Sequence, residues 1–304
     1  MKNVFTFLLL LFSLLCNGQS PKLFTTDKEL SSSLINQIYQ DRNGFIWIAT
    51  EDGLNRYDGA KFTIYKHEPN NEHSLAHNFV RTVFEDSKGH LLIGTYIGIQ
   101  MYDPATDNFT PLAKLEDTGE TLESNINSFI ERKNGEIWVS GNVLCKLDIK
   151  DHLLTVRKVD IAVTSPGSLF EDKKQNVWMA KGEEGVYQLT PDNQLTLHLS
   201  KDNGYVKSIC EDQRGNIYVG SIRKGLFIYD KERKTFVPVD LKEKGELPVC
   251  FLYSGIPNEL YIGTDGKGVA IYNIRTHEIS EYKFDNNYFD SGNSKIHSIL
   301  KDNS

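Results

Sequence analysis

Residues 34–59 read Leu-Ile-Asn-Gln-Ile-Tyr-Gln-Asp-Arg-Asn-Gly-Phe-Ile-Trp-Ile-Ala-Thr-Glu-Asp-Gly-Leu-Asn-Arg-Tyr-Asp-Gly. Ile35, Ile38 and Tyr39 make Leu34 to Gln40 a β-branched and aromatic segment, which predicts a strand. Asp41-Arg42-Asn43-Gly44 has Asp first and Gly last, the order that suits a type I turn followed by a residue with positive φ. Phe45 to Ala49 predicts a second strand, Glu51-Asp52-Gly53 a turn, and Leu54 to Tyr57 a third strand. Asp58-Gly59 then turns into a fourth, Lys61 to Tyr65. A four-stranded antiparallel meander of this length is the size of one propeller blade.

The unit recurs. Trp47 aligns with Leu92, Trp138, Trp178, Tyr218 and Tyr261, at spacings of 45, 46, 40, 40 and 43 residues by subtraction. Self-similarity at such a period points to blades and outranks any local assignment. The preceding turn returns as Asp86…Gly89, Arg132…Gly135, Asp172…Asn176, Asp212…Gly215 and Gly255…Asn258. The glycine opening the third strand returns as Gly98, Gly185, Gly225 and Gly268. The third copy departs, with Leu147-Asp148 and a shortened Ser140-Gly141-Asn142 turn. Near the other end, Ile296 to Asp302 repeats the first strand and the turn Asp. The expectation is an all-β propeller of six complete blades and the start of a seventh, a piece of something longer and seven-bladed when intact. Leu23 to Thr26 is placed to serve as an outer strand, since an N-terminal strand closing the last blade removes an open edge.

Met1 to Gly18 carries one Lys, the apolar run Val4 to Leu15 and small residues at its end, the pattern of a secretory signal. The run is shorter than the roughly 20 residues that cross a bilayer. This predicts a signal peptide, 1–18, and one propeller domain, 19–304. Lipidation of Cys16 is disfavoured because Ser13-Leu14-Leu15 lacks the small residue such a site needs. Export leaves Cys145, Cys210 and Cys250, an odd number that cannot all pair within the chain, and buried apolar thiols are the expected state. Lys and Arg total 34 against 41 Asp and Glu, a net charge of −7, which argues against a nucleic-acid surface. No Pro/Gly/Ser-rich linker divides the repeats.

The 34–59 stretch, Glu85-Asp86-Ser87-Lys88-Gly89 with Ile93-Gly94-Thr95, and Tyr261-Ile262-Gly263-Thr264-Asp265-Gly266 resemble the two-component regulator propeller repeat, and the resemblance extends over about 24–302. It implies a periplasmic sensor region of a hybrid histidine kinase, a homodimer in the intact sensor, membrane attachment and phosphotransfer through parts outside these residues, and a small-molecule ligand, often an oligosaccharide from glycan breakdown. It implies no catalysis and no cofactor in this chain.

Where the repeats disagree, residues are free for use. One first-strand position reads Asn36, Arg81, Asn127, Gly167, Lys207, Cys250 and His297, and by propeller geometry it faces the channel mouth. Such a polar, mixed-charge ring suits a hydroxylated or carboxylated ligand, or simply a wet channel. The loops between second and third strands share that face. Tyr96 offers an aromatic platform, Arg223 and Lys224 a cationic one, and Asp265 and Lys267 further polar groups. The candidate ligand-binding set is Asn36, Arg81, Tyr96, Asn127, Lys207, Arg223, Lys224, Asp265 and Lys267. His73 and His77, with Glu68 and Glu72 nearby, have a spacing a metal could use, but solvated histidines in an Asn-rich loop are the simpler account. CxxC, HExxH, GxSxG and P-loop motifs are missing. The alternatives to a sensor are an interaction or dimerisation scaffold and, third, a secreted propeller lyase or hydrolase relying on His297.

Overall fold

The computed structural model describes residues 22–27, 29–199, 204–241, 247–283 and 295–302. The expected signal peptide and Cys16 lie outside the described residues. Among those described, every regular element is a β-strand, and no helix is long and apolar enough to cross a membrane.

Blade one is β1 (Ile35–Gln40), β2 (Ile46–Thr50), β3 (Gly53–Tyr57) and β4 (Phe62–Tyr65), an antiparallel sheet in that order. Blade two repeats it with β5 (Val80–Glu85), β6 (Leu91–Thr95), β7 (Ile99–Asp103) and β8 (Asn108–Phe109). A short β9 (Lys114–Leu115) leaves the sheet and pairs in parallel with the outer strand of the next blade. Blade three is therefore five-stranded: β10 (Ser128–Glu131), β11 (Ile137–Ser140), β12 (Leu144–Lys150), β13 (Leu153–Lys158), then β9. Blade four holds β14 (Leu169–Glu171), β15 (Val177–Lys181), β16 (Gly185–Leu189) and β17 (Leu195–Leu199). Blade five holds β18 (Val206–Glu211), β19 (Ile217–Ser221), β20 (Gly225–Asp230) and β21 (Thr235–Pro238). Blade six holds β22 (Val249–Ile256), β23 (Glu259–Thr264), β24 (Val269–Asn273) and β25 (Ile279–Glu281).

In blades one, two, four and five a repeated Asp explains the fold of the first turn. Asn43 N and Phe45 N donate to Asp41 Oδ1 at 3.0 Å, and Trp47 Nε1 donates to Oδ2 at 2.8 Å. Asp172 accepts from Lys174 N, Asn176 N, Asn176 Nδ2 and Trp178 Nε1 at 2.8 to 2.9 Å. Asp86 and Asp212 repeat the arrangement with His90 and with Asn216 and Tyr218. One buried carboxylate thus closes the turn, and where the anchor is Trp47, Trp178 or Tyr218 it also accepts the anchor's hydrogen bond, the condition a buried charge must meet. Blade three has Arg132 instead, and Glu136 takes the Trp138 indole at 3.0 Å while the Arg132 guanidinium lies 4.5 Å from the ring.

The apolar core lies between blades. Five anchors, Trp47, Leu92, Trp138, Trp178 and Tyr218, are each buried in a cluster shared with the following blade. Burying each such side chain stabilises by about 1.5–3 kcal/mol. The sixth anchor, Tyr261, is half-buried and meets Tyr253 and Tyr282. The blades approach so closely at the glycine before the strand-ending Thr or Ser that a Cβ on Gly94 would sit 2.6 Å from Ile126 Cγ2, and one on Gly263 2.8 Å from Ile296 Cγ2.

That last contact belongs to the segment 295–302. Ile296 N donates to Thr264 O at 2.9 Å, as Ile126 N does to Thr95 O at 3.0 Å. Ser298 Oγ accepts from Ile38 N at 3.2 Å, as Ser208 Oγ accepts from Leu252 N and Ser128 Oγ from Leu169 N. The segment therefore stands where the inner strand of a seventh blade stands, between blades six and one. Leu23 to Thr26 behaves differently from expectation: it forms no strand, and Phe24 packs on Tyr57 and Phe62 of blade one at ring separations of 5.1 and 5.0 Å.

Candidate functional site

The variable first-strand position converges at one place. Asn36, Arg81, Asn127, Gly167, Lys207, Cys250 and His297 all line a single cavity of about 420 Å³. The pairing of inner with second strand shows how. In blades one, two, five and six the register slips by one residue, and the residue skipped is Asn36, Arg81, Lys207 or Cys250. A β-bulge of this kind adds one residue to one strand and re-aims its side chain. Here it turns the side chain toward the propeller axis.

Not all seven are available. Asn36 Nδ2 donates to Val80 O at 2.7 Å and Asn127 Nδ2 to Pro166 O at 3.1 Å, so both amides tie an inner strand to the next blade. Arg81 differs. Its Nε is buried without a hydrogen-bond partner among the described residues, and its guanidinium lies 5.5 Å from the Phe79 ring. Phe79 lies 6.1 Å from Tyr96, which lies 5.6 Å from His77, so an aromatic shelf leads from the blade-two loop toward the cavity.

Burial lowers the Lys207 ammonium from its ordinary range, against the opposite pull of Cys250 and Asp265. Burial likewise raises the Cys250 thiol, with Lys207 opposing. His297 is lowered by burial, then by Lys207 and Lys295. Asp265 pairs with Lys295 at 2.9 Å beside this group. Tyr205, Ser165 and Lys181 complete the wall, and Phe251 lies beside Cys250. Gly182, at φ +44°, runs under the Tyr205 ring, where a Cβ would come within 3.0 Å.

The remaining predicted residues lie outside the cavity wall. Tyr96 is 53% exposed on the aromatic shelf. Arg223 pairs with Glu183 at 3.1 Å on the surface. Lys224 N and Lys267 N donate to Ser221 Oγ and Thr264 Oγ1, closing their loops. Tyr205 and Lys181 were missed by following one repeat column. The column two residues earlier, which reads Leu34, Phe79, Asn125, Ser165, Tyr205, Pro248 and Lys295, would have found Tyr205. His73 and His77 are engaged locally, with Phe109 O and Phe79 N, and no group of three potential metal ligands forms among the described residues.

Fold and cavity define a β-propeller with a polar axial mouth. The family model for the two component regulator propeller matches residues 29–52, 74–96 and 200–223, so these stretches are similar to that repeat. A histidine kinase of Formosa agariphila is 37% identical over 83 residues, 25% of this chain and 6% of that protein. The extracellular domain of a hybrid two component system from B. thetaiotaomicron superposes with a TM-score of 0.77 at 22% identity, covering 92% of this chain and 39% of that one. A catalytically inactive virginiamycin B lyase from Staphylococcus aureus superposes at 0.67 with 13% identity, covering 89% of both chains. At these identities the structural likenesses are likenesses of fold. This chain spans a small part of the kinase and well under half of the extracellular domain.

Proposed function

We propose that the chain is the ligand-sensing propeller of an exported two-component sensor, acting in the periplasm and recognising an oligosaccharide at the axial mouth. The observation that carries this reading is the convergence of seven residues of six different types, one from each repeat, on one cavity, while the positions around them repeat. A volume of about 420 Å³ falls within the roughly 300–1,000 Å³ range of small-molecule sites. The repeat match and the kinase relative support placement in histidine-kinase signalling. In this reading residues 1–18 are a signal peptide, 19–304 belong to the propeller, the intact sensor is a homodimer, and phosphotransfer is carried by other parts of it. This reading gives the propeller a binding role and assigns it no catalysis.

Thermal denaturation of the chain against a panel of neutral and acidic oligosaccharides tests this. A ligand at one hundred times its Kd raises stability by about 2.7 kcal/mol. A selective rise in Tm that is lost on Arg81→Ala and kept on Arg223→Ala supports a site at the axial mouth. No shift with any glycan rejects the oligosaccharide reading and favours an interaction scaffold.

A further inference from the structure

Four basic side chains, Arg81, Lys181, Lys207 and His297, line the cavity, and no Asp or Glu does among the described residues. This is unexpected in a chain of net charge −7. Two nearby cations are already neutralised, Lys181 by Glu184 at 2.7 Å and Lys295 by Asp265 at 2.9 Å. Arg81 and Lys207 are not: among the described residues neither has a carboxylate within ion-pair distance, and Arg81 Nε is buried with no acceptor. Burial raises the Cys250 thiol on the wall, and Asp265, the carboxylate that acts on Lys207 from behind the wall, is already paired with Lys295. A half-buried ammonium and a guanidinium facing one cavity repel each other unless something negative lies between them. The amides of Asn36 and Asn127 each spend one N–H on a backbone carbonyl, so the charged side chains are the strongest donors open to a ligand.

We propose that this end of the channel is an oxyanion site, in which Arg81, Lys207 and His297 hold a carboxylate or sulfate of an acidic oligosaccharide while its sugar ring lies against Tyr205. The inference rests on the sensor reading above and names its ligand class. A planar guanidinium presents two parallel N–H donors to a carboxylate, and an ammonium supplies a point charge. Tyr205, 42% exposed at the cavity wall, supplies the flat apolar face that a sugar ring stacks on. His297 stands among Lys207, Lys295, Asp265, Arg81 and Cys250, and an anion in the cavity stabilises its protonated form.

The test is calorimetric titration of the 304-residue chain with oligouronides, their uncharged methyl esters, sulfated disaccharides and inorganic sulfate. Oligouronides or sulfated disaccharides bind, the methyl esters bind at least about tenfold more weakly, and affinity falls as NaCl is raised. Which of the two acidic series binds identifies the anion. Lys207→Gln and Arg81→Gln each weaken binding at least about tenfold, and Arg223→Ala leaves it unchanged. In the unmodified protein, NMR of the His297 imidazole shows its pKa rising on saturation, a readout independent of how any variant folds. Equal binding of acid and ester, with Lys207→Gln silent, overturns the oxyanion site and leaves the oligosaccharide sensor standing. Binding of inorganic sulfate alone also overturns it, since no sugar is then recognised. Silence across the panel overturns both readings.

Discussion

Asp172→Asn isolates the physical role of the turn aspartate. The carboxylate is 3% exposed and accepts four hydrogen bonds, from Lys174 N, Asn176 N, Asn176 Nδ2 and Trp178 Nε1. An amide in its place keeps one oxygen for the two backbone donors. Its NH₂ then faces the other two donors. Asn176 can rotate its own amide and offer an oxygen, but an indole N–H only donates. Trp178 is 1% exposed, so its N–H stays dry and unpaired. That costs about 1–3 kcal/mol, and the surviving bonds lose their charge assistance, for a total of about 2–4 kcal/mol. Asp212→Asn is the matched comparison. There the anchor is Tyr218, whose hydroxyl lies 3.5 Å from the carboxylate and accepts as well as it donates. This variant should lose at least about 1 kcal/mol less. Urea unfolding at fixed pH, with midpoints compared at unchanged m, measures both. Equal losses in the two variants, or a loss below about 1 kcal/mol for Asp172→Asn, refute the reasoning.

Three further outcomes follow from the same structure. His297 is held below the ordinary histidine value of 6.5 by burial and by Lys207 and Lys295, so the unfolded chain takes up a proton more readily. Its contribution is intact above pH 6.5 and lost as pH falls below it; Tm measured across that range should decline less steeply for His297→Gln, and equal slopes would refute this. Burial pushes the Cys145 and Cys210 thiols up to about 11 and about 12 and raises Cys250. All three should resist an aromatic disulfide reagent in the native chain and react once guanidinium chloride unfolds it; fast native labelling of Cys145 or Cys210 would contradict their burial. Arg223 and Glu183 form an ion pair with side chains 66% and 64% exposed, so Arg223→Ala should change stability by less than about 0.5 kcal/mol in urea unfolding.

The blades were legible because their signals are local and repeated. An Asp that closes a turn, a Gly that gives the positive φ, and an aromatic anchor at fixed distance recur often enough to count. Even the segment Ile296 to Asp302 was readable as the start of a further copy, and the bond from Ile38 N to Ser298 Oγ places it in the ring, although it forms no strand. The channel column was also visible as the position where copies disagree. The place of Leu23 to Thr26 before the first copy suggests an outer strand, whereas Phe24 finds its partners on the aromatic surface of blade one. That surface exists only once Tyr57 and Phe62 are brought together.

What the amino-acid order determined alone, then, is the period, the strand content and the identity of the ring Asn36, Arg81, Asn127, Gly167, Lys207, Cys250 and His297. Only the tertiary structure decided what each member is free to do. The slipped registers at Asn36, Arg81, Lys207 and Cys250 turn those side chains to the axis, and neighbouring blades then engage the two asparagines while, among the described residues, leaving Arg81 and Lys207 with no carboxylate at ion-pair distance. The physical reason is distance in sequence. A turn is settled by residues two to six positions apart, as the Asp172 contacts show, whereas the partner that occupies or spares a channel side chain comes from another blade, 44 residues away for Asn36 and 39 for Asn127.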